Sequence, residues 1–380
     1  MKGKNKFVTQ RSIEAVIFLL IFFAFFGYLG HVMGVPNMLN TLMNTSYHLL
    51  LETVFYLMGI TVLSGALGKL LIEFGVVRLV EVILRPLMKP LFNLPGVAAL
   101  GGIVTFLSDN PAIISLSKDR NFSKYFKKYQ LISLTNFGTA FGMGLIVIVF
   151  MAGRGFASAA MVGLLGAIIG CLISTRLMQR FILKKHPEFK DEEAGGGDEQ
   201  QISFKSEGGV FLRVLNSLLD GGKSGVEIGL AIIPGVLIIS TVVMMLTFGP
   251  SESGAYTGAA YEGTALLPYL AGKINIVFEW LFGFKSPELV AFPITALGAV
   301  GAALGLVPKF QEIGIIDGNA IAVFTAMGMC WSGFLSTHTA MLDSLGFRDL
   351  TSKAITAHTI GGLGAGVVAH WAYVGITALL

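Results

Sequence analysis

Charge is scarce in this 380-residue chain: 27 Lys and Arg with 23 Asp and Glu make up 13% of it. A water-soluble domain carries about a quarter charged residues, so that class is excluded. With 54% hydrophobic residues and a mean hydropathy of +0.74, the chain reads as a polytopic helical membrane protein. Alternating apolar segments of about ten residues are missing too, which excludes an outer-membrane barrel. Cysteine is limited to Cys171 and Cys330, both inside apolar runs. Neither a disulfide framework nor a metal knuckle is therefore expected, and both thiols read as small packing residues. Catalytic constellations are lacking: there is no His-x-x-x-His pair, no nucleophile elbow and no phosphate loop. Gly221-Gly222-Lys223-Ser224 imitates the end of such a loop but lacks its first glycine and follows no strand. These absences argue against an enzyme, a bound cofactor, a resident metal and direct use of ATP. The net charge of +4 comes from basic flanks of apolar runs, with no aromatic-interleaved patch suited to nucleic acid.

Long apolar runs are what the chain has in quantity. Spans need about 20 such residues, and seven segments qualify, roughly 13–34, 48–72, 129–152, 156–179, 226–248, 318–341 and 355–378. The first follows the cationic Met1-Lys2-Gly3-Lys4-Asn5-Lys6. It is long enough to span and has no small-x-small cleavage site after it, so it reads as a retained span and not as a secretory signal. Lys and Arg beside spans favour the cytoplasm. Alternation from a cytoplasmic N-terminus in the inner membrane puts the linkers 73–128, 180–225 and 342–354 inside. The linker 180–225, with Lys184, Lys185 and the polar tract Asp191 to Gln200, reads as a flexible hinge. Residues 249–263 carry Glu252 and Glu262 but no Lys or Arg, as an external loop would. Most of the 48 glycines are expected where membrane helices approach closely.

One apolar stretch does not behave as a span. Gly96 to Ser117 is interrupted by Ser108-Asp109-Asn110-Pro111, with Arg78, Arg85 and Lys89 before it and Lys118, Arg120, Lys124, Lys127 and Lys128 after it. Cations on both flanks place both ends in the cytoplasm, so the segment is expected to dip in and return as two half-helices. Irregular backbone at membrane depth is tolerated only where it is buried in protein or lines a wet cavity.

The second half repeats this plan. Leu91-Phe92-Asn93 matches Leu281-Phe282-Gly283, and Thr139-Ala140-Phe141-Gly142-Met143-Gly144 matches Thr325-Ala326-Met327-Gly328-Met329-Cys330, at offsets of 190 and 186. The expected organisation is an N-terminal helix and external loop (1–47), a first repeat (48–179), a cytoplasmic linker (180–225) and a second repeat (226–380). Its broken segment, Pro287 to Val307, is interrupted in this reading at Pro293 and Thr295. The predicted fold is all-α, with about seven transmembrane helices and two re-entrant hairpins in two repeats of inverted topology. That is the usual construction of a secondary transporter.

Candidate binding residues follow from what is costly to bury. Asp109, between Ser108 and Asn110, faces a cost of at least about 2.5 kcal/mol near the bilayer centre unless it meets a cavity or partner. Asp or Asn before Pro is also ordinary helix-capping chemistry. Glu288, at the start of the second broken segment, suits either a coupling ion or the helix dipole, and Thr295 offers a hydroxyl. Thr135, Asn136 and Thr139 share one side of a span, while Ser332, Ser336 and His338 crowd the end of another. Such Ser and Thr either line a site or bond back to their own helix.

The Leu94-Pro95-Gly96 turn, the Ser-Asp-Asn-Pro break and the Gly328-Met329-Cys330-Trp331-Ser332-Gly333 run resemble nucleoside-recognition "gate" domain membrane proteins. Such domains occur in concentrative nucleoside transporters, bacterial ferrous iron transporters and spore-maturation membrane proteins. The resemblance implies two gate-like repeats and transport of a small polar solute, nucleoside-like or amino-acid-like, coupled to Na⁺ or H⁺ in the manner of a symporter. The Gly-Cys-style hairpin and GTPase domain of the iron transporters are not seen in this sequence. A non-transporting component acting with a partner membrane subunit, as in spore-maturation relatives, is the alternative, and a homo-oligomer is compatible with either.

Overall fold

The computed structural model of the chain describes residues 2–194 and 208–379. Seven helices among these are long and apolar enough to cross a membrane: Gln10–Met33, Val35–Glu73, Lys128–Gly153, Ala157–Lys185, Val210–Thr247, Gly318–Ser344 and Arg348–Leu379. Each overlaps one predicted span. The second and fifth start earlier than predicted because their first turns are polar or amphipathic (Asn37, Asn40 and Asn44; Arg213, Asn216 and Asp220) and do not register as apolar. The described residues contain no strand, only an isolated bridge between Lys127 and Glu193. Ile13, Phe18, Leu20, Ile21 and Phe23 of the first helix are exposed, an apolar surface suited to lipid.

The core forms where the Ala157–Lys185 helix meets Thr351–Leu379 and Gly318–Cys330. Gly170 and Gly361 face each other there so closely that a Cβ on either would lie 2.6 Å from the other's carbonyl oxygen. Only glycine permits that approach, and the reward is dense van der Waals contact where water supplies no hydrophobic drive.

The Ser-Asp-Asn-Pro segment does fold back. Ala98–Leu107 ends at Ser108, whose φ of −126° and ψ of −107° leave the helix, and Pro111–Lys118 follows. Pro111 at the first helical position suits a helix start, since its missing N–H would have no partner there. Gly101 packs against Ile113, a Cβ on it lying 2.7 Å from Ile113 Cδ1. A straight helix would separate those residues by about 18 Å. The ends of the hairpin also touch: Asn93 Nδ2 donates to Tyr129 Oη at 3.1 Å, and Gln130 Nε2 donates to the Asn93 carbonyl at 2.7 Å.

The second broken segment does the same. Phe292, before its break, stacks on Phe324 with ring centroids 4.0 Å apart, and Phe310, after it, lies 6.3 Å from the same ring. Asn319 Nδ2 donates to the Phe282 carbonyl at 2.8 Å, and Lys285 pairs with Asp317 at 3.0 Å. The interruption sits at Ala299, in extended conformation between Ala291–Gly298 and Val300–Leu304. Pro293 and Thr295, where the sequence reading puts it, lie within the first of these helices. Pro293 is in its first turn, where the absent N–H costs nothing.

The two hairpin mouths lie at opposite ends of the Thr351–Leu379 helix. Lys128 sits over the Phe189 and Phe347 rings, and Lys185 pairs with Asp349, all beside its start. His370 Nδ1 meets Asn319 Oδ1 at 2.8 Å, nineteen residues and about 28 Å further along. The left-handed residues at the hairpin entries and at the following breaks recur 190 residues apart, so Met143 stands opposite Gly333 and not opposite Met329, where the 186 offset of the Thr139 match puts it. Left-handed Asn93 (φ 55°) and Gly283 (φ 67°) precede the hairpins, and left-handed Met143 (φ 55°) and Gly333 (φ 63°) interrupt the following spans.

The linker is shorter than predicted, since helix runs to Lys185 and resumes at Val210. Its first part is pinned: Glu192 and Glu193 pair with Lys128 (2.7 Å) and Lys127 (3.1 Å), and Ala194 N–H bonds to the Phe126 carbonyl. Residues 195–207, which hold the rest of the expected hinge, lie outside the described residues.

Candidate functional site

Four chain interruptions converge on one cavity of about 420 Å³. The first hairpin brings Asp109, Asn110 and Pro111, and the second brings Ala299, Val300, Gly301 and Ala302. Lys128–Gly153 is unwound around Met143, and Gly318–Ser344 around Ser332 and Gly333. Ala231, Ile232 and Gly235 of the Val210–Thr247 helix complete the wall. That helix passes through a π-helical turn at Gly235–Ser240, and Ser240 Oγ donates to the Ala302 carbonyl at 2.8 Å.

Asn110 does not cap the helix that Pro111 begins. Its side chain makes no cap bond and instead donates through Nδ2 to the carbonyl of Ser332. The first tip is thereby tied to the break in the other half of the molecule. Gly142 makes room for this contact, since a Cβ there would lie 2.7 Å from both Asn110 Cγ and Ser332 Oγ. Three polar atoms at this end, Asp109 Oδ1, Asn110 Oδ1 and Ser332 Oγ, are buried with no hydrogen-bond partner. Buried polar atoms without partners are costly.

The predicted residues separate into two groups. Asp109, Asn110, Ser332 and Ser336 line the cavity, together with Thr337. Ser108 does not line it; its Oγ donates to the Val104 carbonyl at 2.6 Å. Thr139 and Thr295 bond back to Thr135 and Ala291 within their own helices, and Thr135 is buried with its hydroxyl unpartnered, outside the lining. Glu288 accepts from the neighbouring Ser286 hydroxyl at its helix start, away from the lining.

Asn136 belongs to a different network. Its Nδ2 donates to Ser174 Oγ at 2.8 Å and to the Ala354 carbonyl at 3.0 Å. Ser174 Oγ lies 2.9 Å from His358 Nδ1, and His358 Nε2 bonds to the carbonyl of Cys330. A carbonyl only accepts, so Nε2 carries the proton and Nδ1 accepts from Ser174. The chain of bonds therefore runs from Asn136, one turn before the first unwound break, to Cys330, the last residue before the second. His338 is fully buried, its ring 4.7 Å from that of His358. Cys171 and Cys330 are both buried and free. No group of three His, Cys, Asp or Glu able to hold a metal occurs among the described residues.

Residue-by-residue reading passed over Gly142, Gly235 and Ala299, which are neither polar nor charged. The available signal was an offset: Ala299 stands 190 residues after Asp109, the spacing of the Leu91-Phe92-Asn93 and Leu281-Phe282-Gly283 match.

Seven apolar helices around two folded-back segments and two unwound spans define a multi-pass helical membrane protein. Residues 54–155 match the model of the Gate family, described as nucleoside recognition. In fold the chain is similar to CNTnw, a concentrative nucleoside transporter. A variant in an intermediate state aligns with TM-score 0.53 and 12% identity over 95% of this chain and 85% of that one. An outward-facing variant aligns with TM-score 0.54 and 13% identity over 87% and 80%. Among curated sequences, an uncharacterized protein of Alkalihalophilus pseudofirmus is 25% identical over 309 residues, 76% of this chain. The chain spans 60% of that relative's length. The sporulation integral membrane protein YlbJ of Bacillus subtilis is 38% identical over 73 residues, 18% of each chain.

Proposed function

We propose that this protein is a secondary carrier for a small polar solute, nucleoside-like or amino-acid-like, working by alternating access. The observation that carries this reading is the meeting of both hairpin tips and both unwound spans on a single cavity with unpartnered polar atoms. On this reading the two hairpins are re-entrant, enter from opposite membrane faces and belong to inverted repeats. Contacts such as Asn110 to Ser332 and Ser240 to Ala302 form and break as one bundle rocks against the other. Asp109, the only charged residue lining the cavity among the described residues, holds the coupling Na⁺ or H⁺ between solute occupancies. Discontinuous helices at a midplane site are the general architecture for such movement.

Flux into proteoliposomes tests it. Uptake of a solute that stabilises the purified protein should be saturable and should fall at least tenfold in Asp109→Ala and Ser332→Ala. Uptake unchanged in both variants removes the site. The similarity to YlbJ favours a second reading, a non-transporting membrane component with a partner subunit. It predicts co-purification of a stoichiometric partner and no solute that shifts thermal unfolding.

A further inference from the structure

We propose that the protein holds one acyl chain of an anionic phospholipid in a groove between the Val76–Leu87 helix and the first hairpin, with the lipid phosphate at Arg176. This goes beyond the carrier reading and does not depend on it.

A second cavity, of about 440 Å³, lies away from the hairpin tips, and every residue lining it is apolar. Val76–Leu87 is amphipathic: Val76, Val80, Leu84 and Leu87 line the groove, while Arg78, Glu81 and Arg85 fall on the other side of the helix. Such a helix suits a membrane interface. The facing wall is the first arm of the hairpin, with Ala99, Ile103 and Phe106, and Leu164 and Ile168 of the Ala157–Lys185 helix close the far end. Val76, Leu87 and Leu91 are exposed, whereas Val77, Ala99 and Phe137 are buried. The groove is therefore open along one edge and floored within.

Length and charge select the occupant. Arg176 Nε donates to the Leu91 carbonyl at 2.8 Å, and its Nη2 donates to the Pro90 carbonyl at 2.6 Å. Arg176 thus marks the mouth of the groove and keeps three of its five N–H donors. Leu164 stands twelve residues away on the same helix, about 18 Å, close to the roughly 15 Å of one hydrocarbon leaflet. Lys89, two residues before Leu91, and Arg180, one turn beyond Arg176, are exposed and have no ion pair among the described residues. Glu81, the nearest acid on the helix, is already paired with Arg85 at 2.8 Å. Cations at the mouth of an apolar groove one leaflet long complement an anionic headgroup. A single hydrocarbon chain, about 5 Å across at van der Waals contact, fills roughly 350 Å³ over that length. A helix from a partner subunit would need roughly 1,400 Å³. Because Ala99, Ile103 and Phe106 belong to the hairpin arm, a bound chain braces that arm against the helix.

The full-length protein, delipidated in neutral detergent, is titrated with dioleoyl phosphatidylglycerol, dioleoyl phosphatidylcholine and glycerol 3-phosphate. The two lipids share their chains and differ in net charge; the third is a headgroup without chains. Phosphatidylglycerol should raise the unfolding midpoint saturably, at about tenfold lower concentration than phosphatidylcholine, the effect of one charged contact. Glycerol 3-phosphate should do nothing. Lys89→Gln combined with Arg180→Gln should narrow the gap between the lipids to about threefold or less, and Val80→Trp, which fills the groove, should abolish the response to phosphatidylglycerol. Native mass spectrometry of the unaltered protein needs no variant: one phosphatidylglycerol should stay bound under conditions that strip phosphatidylcholine. Equal responses to the two lipids, the mark of bulk lipid contact, overturn the assignment. So does a gap unchanged in the double variant, a full response in Val80→Trp, or stabilisation by glycerol 3-phosphate alone. A stoichiometric polypeptide retained in place of the lipid mass overturns it as well. Solute uptake enters none of these measurements, so the lipid site and the carrier reading stand or fall separately.

Discussion

Replacing Gly225 with alanine tests whether the helix that walls the cavity is seated as described. Gly225 faces the Val35–Glu73 helix, and a Cβ there would lie 2.5 Å from Val62 Cα and 2.6 Å from the Thr61 carbonyl carbon. Ordinary contacts are about 3.4–4 Å, so the helices must part by roughly 1 Å, and backbone cannot rotate away as a side chain can. Overpacking of this kind costs about 1–3 kcal/mol. Gly222, three residues earlier on the same helix, is the control: a Cβ there would stand 3.6 Å from Val62 Cγ1, an unstrained distance. Both substitutions gain the same helix propensity, about 1 kcal/mol, so the difference between them isolates the steric term. Thermal unfolding in detergent should therefore show Gly222→Ala unchanged or stabilised, with Gly225→Ala lower by about 1–3 kcal/mol. Equal midpoints for the two would refute this crossing, and with it the position of Ala231, Ile232 and Gly235 at the cavity.

Three further outcomes are expected. Asn136→Ala and His358→Ala should be non-additive in unfolding free energy by about 0.5–3 kcal/mol, because Ser174 bridges them; additivity would dissolve the network. Asn110→Ala should lower stability by about 1–3 kcal/mol, as the buried Ser332 carbonyl loses its donor, and an unaltered midpoint would argue against that tie. Cysteines placed singly at Lys89, Lys118 and Lys128 should all label from one side of the membrane; opposite-side labelling of Lys89 and Lys128 would turn the first hairpin into an ordinary span.

The sequence by itself determined the seven spans, because about 20 consecutive apolar residues is a local property that needs no partner. It also determined the first break, since Pro111 cannot donate a backbone bond and Asp109 cannot be left in lipid. Asn136 carried the same polar signal as Asn110, yet only tertiary packing decided that one reaches the cavity edge and the other ties helices behind it. An amide is costly to bury wherever it falls, and composition does not say which neighbour meets it. The second break at Ala299 has no proline or charge to announce it; Phe292 and Phe310, on either side of it, both come to the Phe324 ring. The cavity itself is a product of convergence. Residues as far apart as 109, 143, 235, 299 and 333 form one wall only after close helix packing, and that packing depends on contacts hundreds of residues apart.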